Sequence, residues 1–111
     1  MGRGSREALV QAWMNRKLIL RPEAEAELVE AIDWYESRGK GLGADFMRAV
    51  DAAMAAIERN PERYQIIKGQ VRRAVLRRFP YGLIYVASQQ DITVLACFHG
   101  RRDPRRWIER T

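Results

Sequence analysis

The chain has one cysteine and one histidine among its 111 residues. A single cysteine excludes an intrachain disulfide, and with only one histidine beside it the sequence offers no zinc site, so we expect no metal and no other cofactor. No stretch approaches the ~18 uninterrupted apolar residues of a membrane helix. The first residues also lack the apolar segment of a secretory signal. These absences predict a cytoplasmic protein without a membrane partner.

The length suits one domain with one hydrophobic core. Glycines and charged residues dominate the start of the chain. We therefore assign residues 1–17 to an N-terminal extension, expected to be disordered, and residues 18–111 to the domain.

Acidic and basic residues occupy different parts of the chain, whose net charge is +6. Residues 23–62 carry four bases and ten acids, whereas residues 63–111 carry eleven bases and three acids. An acidic middle followed by a basic end predicts an acidic helical side and a cationic sheet, the latter facing a polyanionic or acidic partner.

Two helices are predicted between Pro22 and Asn60. Apolar residues spaced for one helical face occur first at Ala24, Leu28, Ala31, Ile32 and Tyr35, and then at Leu42, Phe46, Val50, Ala53, Met54 and Ile57. The glycine-rich segment SRGKGLG separates the two stripes. A short link of this kind predicts an antiparallel helical hairpin.

The period changes after residue 62. The segments 71–76, 81–87 and 92–98 are rich in Val, Ile, Leu and Tyr and predict three strands, and 18–20 predicts a fourth before the helices. Asp103-Pro104 predicts the start of a short C-terminal helix. The expected fold class is α+β: a twisted antiparallel β-sheet packed by an N-terminal helical hairpin, in the order β-α-α-β-β-β.

Three phrases of the sequence resemble the RelE/ParE superfamily of type II toxin–antitoxin toxins, and most closely its ParE-like branch, often labelled plasmid stabilisation proteins. They are LRPEAEAELVEAIDWYE, FPYGLIYVASQQDITVLACFHGRRDP and the terminal RRW. The resemblance covers residues 18 to about 110. It implies the fold expected above, growth inhibition by the toxin, and a cognate antitoxin that wraps it with an extended or helical, often acidic segment. A homodimer or a toxin–antitoxin heterotetramer is a further expectation.

The superfamily has two mechanisms, and the sequence leaves both open. ParE-type members bind DNA gyrase and stall it with cleaved DNA, whereas RelE-type members cut mRNA on the ribosome. Cleavage would need a proton acceptor and cations on the phosphate, for which the candidate catalytic residues are His99, Tyr85, Arg77 and Arg101. The long paired helices, and the lack of the lysines and C-terminal tyrosine seen in RelE-type nucleases, favour the gyrase poison.

A third hypothesis is a non-toxic module that binds nucleic acid through its basic residues. Under the toxin hypotheses we expect the same region to dock the target or the antitoxin. The residues expected to form this docking surface are Arg72, Arg73, Arg77, Arg78, His99, Arg101, Arg102, Arg105 and Trp107.

Overall fold

The structure, a computed structural model, describes residues 17–100. Within them lie two helices and five strands. In chain order these are β1 (Lys17–Leu20), α1 (Pro22–Arg38), α2 (Leu42–Arg59), β2 (Gln65–Lys68), β3 (Val71–Val75), β4 (Tyr81–Ala87) and β5 (Asp91–His99). Neither helix is long and apolar enough to cross a membrane. The expected N-terminal extension up to residue 16 and the expected C-terminal helix lie outside the described residues.

The two helices form the predicted hairpin. Pro22 stands at the first position of α1, where its fixed φ suits a helix and its missing N–H is not needed. Both predicted apolar stripes face the core: Leu28 of α1 and Phe46 and Val50 of α2 are buried. The stripes therefore define the packed face of the hairpin.

The turn between the helices depends on glycine and on one glutamate. Gly41 has φ +90°, a conformation that side chains with a Cβ rarely adopt. The Glu36 carboxylate accepts hydrogen bonds from the N–H groups of Gly41 at 3.1 Å and Gly43 at 3.0 Å. Gly43 is buried against α1, so closely that a Cβ there would lie 3.0 Å from the Ile32 carbonyl oxygen. Glu36 thus caps α2 while glycine permits the close approach.

The five strands form one sheet in the order β1-β5-β4-β3-β2. Strands β2 to β5 pair antiparallel, but β1 pairs parallel with β5. The α+β class with a helical hairpin is confirmed; the predicted antiparallel pairing holds from β2 to β5, and the sheet is mixed because β1 lies parallel to β5. The sequence interpretation also missed β2, which adds a fourth strand after the hairpin.

An irregularity in the pairing of β4 and β5 sets which residues face the helices. Ile84 pairs with Ala96 but Tyr85 pairs with Val94, so Leu95 is an extra residue in β5. Because of this bulge, Val94 and Cys97 both join the core beneath the helices although they are three positions apart. The centre of that core is aromatic: the Phe46 ring lies 5.2 Å from those of Tyr35 and Phe79 and 5.1 Å from that of Tyr81.

Candidate functional site

Arg72, one of the predicted docking residues, holds the chain segment that joins α2 to β2. Its guanidinium donates hydrogen bonds to the carbonyl oxygens of Glu62 at 2.9 Å and Tyr64 at 2.7 Å. Both hydrogen bonds come from Nη1, which carries two N–H donors and can therefore serve two acceptors. Arg72 therefore stabilises the loop of residues 60–64 that joins α2 to β2.

Tyr85, a candidate proton acceptor, lies in the core with no exposed surface. Its hydroxyl donates to the Pro61 carbonyl oxygen at 2.5 Å. Burial raises the pKa of Tyr85 to about 12, against a smaller lowering effect of Arg72. A phenol that is buried, protonated and already hydrogen-bonded does not take a proton from a substrate at the surface. The Tyr85 hydroxyl therefore stabilises the 60–64 loop and does not act as a proton acceptor.

The other three predicted arginines in the described region are exposed but do not share one face. Arg73 alternates with Arg72 along β3, and its Cγ lies 3.2 Å from where a Cβ on Gly82 would be. Arg77 and Arg78 lie in the turn before β4, where Arg78 has φ +70° and its guanidinium lies 5.9 Å from the centre of the Phe79 ring. Within the described residues, Arg73 thus lies along β3 and Arg77 and Arg78 lie beyond its end. The remaining predicted residues, Arg101, Arg102, Arg105 and Trp107, lie outside the described part of the chain.

Arg77 lines a groove of about 520 Å³ between α2 and β3, which we call the alanine groove. Four small side chains of α2 and one of β3 form its apolar surface, namely Ala49, Ala52, Ala53, Ala56 and Ala74. Arg59, Arg63 and Arg77 form a cationic rim, and Val75 at the end of β3 is 64% exposed. The sequence interpretation missed Arg59 and Arg63, although the alanine spacing of i, i+3, i+4 and i+7 marks this face of α2.

His99 lines a second groove, of about 440 Å³, at the end of β5. The other lining residues are Glu27, Glu30, Ala31, Trp34, Tyr35, Pro80, Tyr81 and Cys97. The His99 ring packs edge-on against Tyr81 at 5.1 Å, and Trp34 is half exposed. Among the described residues, the charged side chains that line this groove beside His99 are the carboxylates of Glu27 and Glu30. His99 and Arg77 therefore lie in different grooves.

Cys97 forms part of the floor of the His99 groove but is almost entirely buried. Burial raises the pKa of its thiol to about 12, and the nearby Glu27 carboxylate adds to the rise. Its backbone N–H donates to that carboxylate at 3.2 Å. Cys97 is therefore a packing residue, since a protonated, buried thiol is a poor nucleophile.

Comparison with known proteins identifies the family of this chain and a solved structure with the same fold. Residues 18–104 match the family described as the ParE toxin of type II toxin–antitoxin system, parDE. Among solved structures, the chromosomal ParDE TA system from P. aeruginosa contains a chain with the same fold, at a TM-score of 0.67 and 16% identity over 78% of this chain and 97% of that one. The sequence matches no curated protein. Because the family match covers most of its length, the chain belongs to the ParE toxin family of type II toxin–antitoxin systems.

Proposed function

We propose that this toxin arrests growth by binding DNA gyrase and stalling it on cleaved DNA, and that a cognate antitoxin neutralises it. The toxin performs no covalent step in this scheme. The resemblance to the ParE-like branch and the family match support it. The structural observation that carries it is the setting of His99, the only histidine of the chain.

Cleavage of RNA needs a proton acceptor and cations around the same phosphate. In the described part of the chain, the other charged side chains that line the His99 groove are the carboxylates of Glu27 and Glu30 rather than the cations that a phosphate needs. Of the other candidates, Tyr85 is buried, Arg77 lines the alanine groove, and Arg101 lies outside the described residues. In the described part of the chain, the groups that a nuclease would combine are kept apart, and this separation favours a toxin that acts by binding.

The test is a cleavage assay with purified gyrase, supercoiled plasmid, ATP and the toxin. We expect linear plasmid to accumulate with toxin dose after detergent and protease treatment. The variant His99→Gln keeps a hydrogen-bonding side chain but removes acid–base capacity at neutral pH. Linear plasmid should still accumulate with the dose of this variant, because no proton transfer by this residue is required.

The nuclease alternative makes the opposite prediction. It requires transcripts cut within codons only during translation, loss of that cutting in His99→Gln, and no linear plasmid with gyrase. That combination would replace our proposal. Expression without antitoxin that leaves growth unaffected would exclude both toxin mechanisms and leave a nucleic-acid-binding module.

A further inference from the structure

Helix α1 carries a continuous stripe of exposed residues on the side that faces away from the sheet. Residues three and four positions apart lie on the same face of a helix. With this spacing, every position of one stripe along α1 is exposed, namely Ala26, Val29, Glu30, Asp33, Trp34 and Ser37. We call these six residues the outer stripe of α1. It combines apolar side chains with carboxylates, and no catalytic candidate lies on it.

The two large apolar side chains of the outer stripe are Val29 and Trp34. They are 52% and 50% exposed, respectively. Complete burial of a side chain of this size contributes about 1.5–3 kcal/mol, of which the free toxin gains only part. Tryptophan is also one of the residue types most enriched among the side chains that carry the binding energy of protein interfaces. The apolar part of the stripe is therefore suited to contact with another protein.

The charges of α1 have one dominant sign. The helix contains six acidic residues and one basic residue, Arg38. Glu30 and Asp33 lie within the outer stripe, three positions apart, and like charges on neighbouring positions of a helix are destabilising. None of the ion pairs between described residues includes either carboxylate. The pair therefore lowers the stability of the helix, and a cationic partner would relieve the repulsion.

The Trp34 ring already attracts a cation within the toxin. The guanidinium carbon of Arg38 lies 4.8 Å from the ring centre, an arrangement in which the cation interacts with the face of the ring. The Tyr35 ring packs edge-on against Trp34 at 4.9 Å, so the indole is oriented before a partner arrives, which reduces the ordering cost of binding. Half of Trp34 is still exposed with Arg38 in place. The stripe thus offers an oriented aromatic surface beside two carboxylates, the groups on which a guanidinium stacks and with which it pairs.

We propose that the outer stripe of α1 docks the toxin on a cationic protein surface of its target, where Val29 and Trp34 become buried and Glu30 and Asp33 pair with arginines. The identity of the target as gyrase rests on the proposed function. An enzyme that holds DNA presents lysines and arginines to the phosphates, so it offers the cations that the stripe lacks. The DNA itself fits less well, because phosphates need cations and the charged members of the stripe are carboxylates.

The experiment measures binding of the full chain to immobilised gyrase by surface plasmon resonance. Asp33→Lys reverses one charge of the outer stripe and should weaken binding at least about tenfold, because the new ammonium group faces the target's cations. Asp51→Lys makes the same change in net charge on the exposed side of α2 and should bind within about twofold of the wild type. Asp33→Lys also removes the repulsion with Glu30, so the free variant should be at least as stable as the wild type in urea.

Truncation of the aromatic side chain tests the apolar part separately. Trp34→Ala should weaken binding to gyrase at least about tenfold. Met47→Ala truncates another exposed apolar side chain, on α2, and should bind within about twofold. Circular dichroism and urea unfolding establish that each variant is folded. If Trp34→Ala is unfolded without its contact to Tyr35, Asp33→Lys decides, since it changes an exposed side chain.

Growth arrest provides a readout that does not depend on the identity of the target. Expression without antitoxin should arrest growth with the wild type and with Asp51→Lys. The arrest should be lost or need at least about tenfold more toxin with Asp33→Lys, because weaker docking requires a higher concentration for the same occupancy. Immunoblots establish that the variants accumulate equally.

Three results would overturn the inference. One is wild-type affinity for gyrase in both Asp33→Lys and Trp34→Ala; this refutes the docking surface but leaves the proposed function standing. Another is equal weakening by Asp33→Lys and Asp51→Lys, which would mean that net charge alone matters. The third is sedimentation that shows a dimer of the wild type and a monomer of Asp33→Lys with unchanged gyrase binding, because a second copy of the chain would then occupy the stripe. A wild-type toxin that arrests growth without binding gyrase refutes the proposed function instead, and the growth assay with Asp33→Lys then decides whether the stripe docks the target.

Discussion

Removal of the Tyr85 hydroxyl tests whether its hydrogen bond stabilises the loop between α2 and β2. Tyr85 is fully buried, and its hydroxyl donates to the carbonyl oxygen of Pro61, itself a buried residue. The substitution Tyr85→Phe keeps the ring and its packing but removes this donor. The Pro61 carbonyl then loses its hydrogen bond in a place that bulk water does not reach.

A buried acceptor left without its donor costs about 1–3 kcal/mol. We therefore expect Tyr85→Phe to lower the free energy of unfolding by about 2 kcal/mol. Urea unfolding followed by tryptophan fluorescence measures the change. With a slope of about 2 kcal/mol per molar for a domain of this size, the midpoint falls by about 1 M.

Tyr64→Phe provides the matched control. The Tyr64 ring lies 6.4 Å from that of Tyr85 and is half-buried, but no hydrogen bond between described residues uses its hydroxyl. Its loss should change the free energy of unfolding by less than about 0.5 kcal/mol. If Tyr85→Phe unfolds within about 0.2 M of the wild type, or no earlier than Tyr64→Phe, the hydroxyl does not hold the loop and the reasoning is refuted.

Three further predictions concern the core. A tyrosine in the unfolded chain has a pKa near 10, whereas burial raises the pKa of Tyr85 in the folded protein to about 12. The contribution of Tyr85 to the free energy of unfolding is therefore complete below pH 10 and is lost as the pH rises towards 12. Urea unfolding at alkaline pH should show a smaller loss of stability in Tyr85→Phe than in the wild type. Gly43→Ala gains about 1 kcal/mol of helix propensity, but the added methyl group crowds the Ile32 carbonyl oxygen, which costs about 1–3 kcal/mol. Calorimetry should therefore give a lower Tm for the variant. A higher Tm would show that the two helices move apart to accept the methyl group. Burial raises the pKa of the Cys97 thiol to about 12. At pH 8 the thiol of the folded protein should therefore react with iodoacetamide about a thousandfold more slowly than the thiol of the urea-unfolded protein. Equal rates would show that the thiol is accessible in the folded protein.

The sequence predicted the helices well because their signals are local. Two apolar stripes and a glycine-rich link lie within forty residues, and the stripe positions Leu28, Phe46 and Val50 are buried as expected. β2 escaped prediction because its four residues carry no alternation of burial, and Ile66 is half exposed. The parallel pairing of Lys17 with Asp91 joins residues far apart in the chain, for which neither segment carries a local signal.

The candidate site was harder to predict because arginines that look alike in the sequence have different partners in the folded protein. Strand alternation separates Arg72 from Arg73, but only the three-dimensional path of the 60–64 loop brings carbonyl oxygens to Arg72. In the same way, Arg59 is a helix terminus in the sequence, and its place at the rim of the alanine groove follows from how α2 crosses the sheet.

Net charge alone therefore does not identify the binding surface of this toxin. Arg72 donates to two backbone carbonyls and contributes to the position of the loop, whereas Arg63 on that loop has no acidic partner among the described residues and faces solvent at the groove. Removing either guanidinium subtracts one charge, but only the loss of Arg72 also removes hydrogen bonds to the loop between α2 and β2. Only that loss also lowers the stability of the free toxin, because only Arg72 satisfies groups of its own chain. A binding defect at Arg72 is thus evidence about the loop, and a defect at Arg63 or Arg77 in a toxin of unchanged stability is evidence about the partner.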